Sequence, residues 1–164
     1  MVSGFAFALE AVNGDYIGIP YTSLDCQAFV EKVLYNAGVK KANGSAYNWK
    51  GSNSMWRNAL SWRGTYQEAI NKFGSIPFGA WLFTVKDDGG EKERGYHDDQ
   101  GNAAHVGIYV GDLGSKPSIH STTGGVQWAD SPAKRWTHVG LCMYLDYGST
   151  TNVCPLCGQE VKKA

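Results

Sequence analysis

The chain has no charge imbalance: Lys plus Arg and Asp plus Glu each number 15 among 164 residues. A surface without excess positive charge does not gather a phosphate backbone around itself, so nucleic acid is excluded as an expected partner. No apolar run approaches the roughly 18 residues of a membrane span, and stable membrane insertion is not expected. No basic segment precedes the short apolar stretch that follows Met1-Val2-Ser3-Gly4-Phe5, which argues against a conventional secretion signal. Only four cysteines are present, Cys26, Cys142, Cys154 and Cys157. That is too few for a disulfide scaffold of this length and points to synthesis in a reducing cytoplasm.

What remains describes a folded domain rich in turns. Apolar residues make up 43% of the chain and are interrupted by 21 glycines, a balance that neither disordered nor fibrous sequences have. The length suits one domain with a sizeable core. Six Trp and nine Tyr exceed what a core of this size requires, and the surplus suits a cleft that stacks against a flat or sugar-bearing ligand.

Periodicity locates the elements. Cys26, Phe29, Val30, Val33, Leu34 and Ala37 recur at offsets of three and four, which places them on one face of a helix, with Gln27, Glu31, Lys32 and Asn36 toward the other. Asp25 caps its start and Gly38 ends it. Ser52 or Ser54 opens a second helical segment through Leu60. Thr65-Tyr66-Gln67-Glu68 forms a capping box ahead of Ala69, Ile70 and Phe73, with Gly74 as the stop.

From Gly79 the pattern turns to strands, over 79–85, 105–110, 118–121, 126–128 and about 138–147, with Thr122-Thr123-Gly124-Gly125 as a tight hairpin connection. The polar stretch from Lys86 to Ala104 lacks the ligand spacing of a helix-loop-helix calcium site and reads as a solvated rim. Cys142, within an apolar run, reads as a small buried hydrophobe. One early helix, a small helical insert and four to six strands make an α+β fold with an antiparallel sheet.

Two residues in this layout carry chemistry. Cys26 lies in the first helical turn, where unpaired amide donors and the helix dipole favour a thiolate. His105 leads the strand His105-Val106-Gly107-Ile108-Tyr109-Val110, in which Val106, Ile108 and Val110 point one way and His105, Gly107 and Tyr109 the other. Gly107, having no side chain, is expected to let the early helix approach beside His105. A cysteine with a histidine in reach and a third group to orient that histidine is the arrangement of a hydrolytic nucleophile.

Three blocks sharpen this: Gly18-Ile19-Pro20-Tyr21 ahead of Leu24-Asp25-Cys26-Gln27-Ala28-Phe29-Val30, then Ala104-His105-Val106-Gly107-Ile108-Tyr109-Val110-Gly111, then Ser118-Ile119-His120-Ser121. Together, and in this order, they resemble the NlpC/P60 family of bacterial and phage cell-wall cysteine peptidases over about residues 14–147. The resemblance implies a papain-like core whose nucleophile helix packs on a small antiparallel sheet. It implies Cys26 as nucleophile, His105 as base, His120 as the residue that orients the base, and Tyr21 as a lining residue near the oxyanion. Thr22-Ser23-Leu24 stand where the family often has Trp-Gly-Gly, and Gln27-Ala28 where it often has Ser-Gly, differences that bear on the substrate subsites.

The implied substrate is bacterial peptidoglycan, most often the bond between D-glutamate and the diamino acid of the stem peptide; some relatives instead cut between muramic acid and L-alanine. No cofactor is implied for catalysis. Competing expectations are a muramoyl-alanine amidase on the same residues, or a non-catalytic wall-binding or zinc-linked module. The insert with Trp49, Gly51, Ser52, Asn53, Met55, Trp56, Arg57 and Trp62, with 86–104, resembles what some phage or prophage lysins carry. Such lysins are made in the cytoplasm and released through a phage-made membrane hole.

The expected division is a catalytic domain over 1–148, followed by a linker and a cysteine-pair tail over 149–164. Cys154-Pro155-Leu156-Cys157-Gly158 resembles one knuckle of a zinc ribbon and supplies two of the four ligands of a structural zinc. The remaining ligands would come from another subunit or from distant residues; a disulfide or a free pair is the other reading.

Overall fold

The computed structural model describes residues 1–86, 96 and 98–148, and the tail with Cys154 and Cys157 lies outside them. Helix α1 (Gly4–Asn13) and helix α2 (Cys26–Asn36) pack together, burying Phe7, Ala8 and Ala11 against Phe29, Val30, Val33 and Leu34. Helix α1 lay in the stretch read only as a short apolar run; its start is fixed by Ser3, whose hydroxyl accepts from the Ala6 amide at 2.9 Å. The polar-face assignment of Glu31 also needs correction, since its carboxylate is buried.

Helix α3 (Ser52–Asn58) is shorter than expected. Ala59 follows it, and strand β1 (Leu60–Thr65) begins where helix was anticipated. Helix α4 (Tyr66–Phe73) has the anticipated capping box and ends at Gly74 with φ of 84°. Strands β2 (Trp81–Lys86), β3 (Asn102–Tyr109), β4 (Ser118–Thr122), β5 (Gly125–Ala129) and β6 (His138–Cys142) complete a six-stranded sheet ordered β1-β6-β2-β3-β4-β5. Every neighbouring pair in it is antiparallel. The architecture is a mixed α+β fold with helices packed on a multi-stranded antiparallel sheet.

The two faces of the sheet carry different layers. Val106, Ile108 and Ile119 pack with α1 and α2, whereas Leu82, Val139 and Leu141 pack with Ala69 of α4 and with Trp136. Gly107 therefore does not admit the early helix. A Cβ there would stand 2.7 Å from Trp136 Cη2 and 3.0 Å from His120 Cβ, so its missing side chain makes room for an indole. Gly107→Ala is expected to cost about 1–3 kcal/mol by overpacking. Urea denaturation checks this, and an unchanged midpoint would refute the packing account.

Candidate active site

Asp25 holds extended backbone, and its carboxylate accepts from the Ala28 amide at 2.8 Å, which fixes the start of α2 and with it the position of Cys26. The Cys26 side chain is nearly enclosed, with 8% of the residue exposed. It forms part of the wall of a cleft of about 410 Å³ whose other walls include Tyr21, residues 50–54, Tyr96 and the start of β3. Tyr21 is 44% exposed and close enough to Cys26 and Asp25 for their charges to raise its pKa, after the larger effect of burial.

Burial pushes the Cys26 thiol above its ordinary pKa, and the Asp25 carboxylate adds to that. The amides of Val106, Gln27 and Cys26 itself pull it back without reversing the shift. The expectation of a ready thiolate from the helix start alone is thus corrected: desolvation wins, and the resting group is a thiol.

Strand register relates the start of α2 on one face of the sheet to the backbone beside His105. The Tyr109 amide donates to Ala80 of the β2 side, and the Val110 amide to Pro117 of the β4 side, so the Val106 amide also points toward β4. The β3–β4 ladder, however, holds only the pairs Ile108↔Ile119 and Tyr109↔Ser118. Beyond them β4 turns to the segment before α2, with the Ser121 hydroxyl donating to the Leu24 carbonyl. The Val106 amide, outside the paired ladder, acts to lower the Cys26 pKa. The backbone that bears on Cys26 is thus that of the residue following His105.

On the opposite face His105 Nε2 and His120 Nδ1 lie 2.7 Å apart. His120 is 4% exposed. Burial, followed by the Arg135 charge, lowers His105 to about 4; burial, then His105, then Arg135 lower His120 to about 4. Both rings are neutral at pH 7, so one donates and the other accepts. A proton on His105 Nε2, donated to His120 Nδ1, leaves His105 Nδ1 as a free lone pair.

Each histidine has a folded pKa below its ordinary 6.5 and therefore stabilises the fold above about pH 6.5, a contribution lost as pH falls toward about 4. Glu31, raised by burial, acts in the opposite sense. Urea midpoints are expected to drop between pH 6.5 and 4, and the drop to shrink in a His105→Gln, His120→Gln double variant. Equal slopes in the two proteins would contradict neutral burial of the pair.

The insert builds the cleft walls. The Glu31 carboxylate accepts from the Trp49 amide and from Gln27 Nε2, both at 2.6 Å, and so holds the 47–50 segment on α2. Arg57 of α3 grips Asp98 through two bonds of 2.8 and 2.7 Å, donates to the Gly101 carbonyl at 2.9 Å and lies over the Tyr96 ring. Asn53 accepts from the Ala103 amide at 2.7 Å, and the Ser52 hydroxyl donates to the Ala103 carbonyl. The 96–104 end of the long polar loop is thereby docked against the start of β3. The first part of that loop, with Asp87, Asp88 and Glu91, and also His97, lie outside the described residues.

Tyr21 and Cys26 thus line one cleft beside the start of β3, while His105 and His120 form a bonded pair on the other face of the sheet and are not among the residues lining that cleft. Trp56 is core, His138 bonds to Thr137 and packs against Trp56, and Trp128 covers Gly114, so none of them lines the cleft. Cys142 is fully buried. Sequence reading missed Trp136, which no periodicity marks; its signal was Gly107, a glycine facing the same way as His105. Among the described residues no cluster of three or more His, Cys, Asp or Glu is placed to hold a metal ion, and no helix is long and apolar enough to cross a membrane. Comparison with protein-family models, curated proteins and solved structures gave no match to this chain.

Proposed function

We propose that the chain is a cysteine hydrolase acting on an amide bond of the peptidoglycan stem peptide, in the first instance the bond between D-glutamate and the diamino acid. The observation that supports the reading is the 2.7 Å bond between His105 Nε2 and His120 Nδ1, together with a cysteine that borders a cleft and whose pKa is lowered by the amide of Val106, the residue after His105. The substrate class comes from the likeness of the three sequence blocks to NlpC/P60 peptidases.

In this reading the reaction starts from neutral groups. His105 Nδ1 takes the thiol proton as Cys26 Sγ attacks the carbonyl carbon, and His120 stabilises the resulting imidazolium through its Nδ1. The Cys26 amide, with Tyr21 at the cleft wall, receives the oxyanion. Collapse expels the amine, which takes the proton from His105, and leaves a thioester on Cys26. His105 then draws a proton from water, and hydroxide addition frees the acid and restores the thiol.

Digestion of purified peptidoglycan followed by mass analysis of the fragments tests this. New free amines on the diamino acid are the expected result. Freed L-alanine amines would instead make the enzyme an amidase on the same residues. Wall binding without any new amine would overturn the hydrolase reading in favour of a binding module.

A further inference from the structure

The histidine pair is held by a residue with no ionisable group. The Trp136 ring lies 5.5 Å from His105 at 12°, a stacked arrangement, and 5.4 Å from His120 at 74°, edge to face. It is fully buried. Its Nε1 donates to Ser118 Oγ at 3.2 Å and to the Asp130 carbonyl at 3.3 Å. Ser118 is in turn fixed by donating to the Ala129 carbonyl at 2.8 Å across the β4–β5 pair. The indole thus has a set depth and a set rotation, and Gly107 leaves the space it fills.

An imidazole used as a base needs one nitrogen free and aimed, and rotation about χ2 by half a turn would exchange the two ring edges. Stacking on a fixed ring blocks that rotation on one side, while the bond to His120 Nδ1 selects the orientation on the other. We infer that Trp136 is a positioning residue, which clamps the His105 and His120 rings in the one arrangement that joins His105 Nε2 to His120 Nδ1 and leaves His105 Nδ1 unused by the pair. This rests on the functional reading above for its catalytic consequence, though not for its effect on the rings. By covering the pair on this side Trp136 also contributes to keeping both rings neutral. The other groups bearing on them are His105 on His120 and the Arg135 guanidinium on both.

The test is an NMR titration of the two imidazoles, with kinetics on peptidoglycan, in Trp136→Leu, Trp136→Phe and Ser118→Ala variants. In Trp136→Leu the titration of the pair is expected to rise from about 4 by about one pH unit toward the ordinary value. The acid limb of kcat/KM should move with it, and kcat should fall by about tenfold or more at nearly constant KM. Trp136→Phe, which keeps a flat ring, should restore most of kcat. Ser118→Ala, which removes one acceptor of the indole, should shift the titration in the same direction by less, and it gives the answer if the leucine variant does not fold.

Unmoved imidazole titrations in the folded variants would overturn the inference, as would a phenylalanine variant no better than leucine. Moved titrations in a protein that never cuts the wall would retain the clamp and sink the hydrolase reading, so the two failures are distinguishable.

Discussion

On the proposed mechanism Cys26→Ala is expected to lower kcat/KM on peptidoglycan by about 10⁴-fold or more, because the acyl-enzyme would form on its sulfur. The fold should survive, since the change removes one sulfur at the edge of the core while the Asp25 cap stays in place. Wall binding should therefore be retained, and co-sedimentation with purified peptidoglycan checks that. Residual hydrolysis within tenfold of the parent would end the assignment of Cys26 as nucleophile. The raised thiol pKa adds a second readout: alkylation of Cys26 by iodoacetamide should be slow at pH 7 and accelerate through pH 9 and above. Fast alkylation at neutral pH would show a thiolate in the resting enzyme and require the ion-pair start instead.

The raised Cys26 pKa is the main respect in which the coordinates change the expectation of a thiolate at the helix start. A helix start offers amide donors to a thiolate, and the amides of Val106, Gln27 and Cys26 do pull the pKa down. They are outweighed by enclosure and by the Asp25 carboxylate, the same group that builds the helix start. The cap that positions the nucleophile thus also raises its pKa. In the proposed mechanism activation therefore falls to His105, which would draw off the proton during attack.

Much of the scaffold was legible because its signals are local. The face of α2, the Asp25 cap, the Thr65 capping box and the 122–125 turn are all set by residues within a few positions of one another. The pairing of His105 with His120 was expected from the resemblance, and their 2.7 Å contact joins residues of the neighbouring strands β3 and β4. What failed is non-local. Glu31 looks solvent-facing by its helical angle, yet the 47–50 segment folds over it and uses its carboxylate as an anchor. Residues 60–65 became strand because β6, some eighty residues later, needed an edge partner. Gly107 was assigned to the wrong neighbour, because the indole that needs its space arrives from 29 positions downstream.

His105→Ala should be nearly as damaging as loss of the thiol, about 10³- to 10⁴-fold in kcat, because both proton transfers pass through its ring. His120→Leu should cost less, about 10²-fold, since it removes the acceptor of the His105 Nε2 proton and frees the ring to turn while leaving the base present. His120→Asn places an oxygen close to where Nδ1 stands and should recover a large part of that loss. This order, with His105→Ala worst, His120→Leu intermediate and His120→Asn mildest, separates a base from the residue that orients it. Its physical root is the 2.7 Å contact, which is useful to catalysis only if His105 is the donor in it. Imidazole ¹⁵N shifts should therefore report His105 protonated on Nε2 and His120 protonated on Nε2. The opposite tautomers would leave His105 with no free lone pair on Nδ1, and with equal activity of His120→Leu and the parent they would remove His120 from the mechanism.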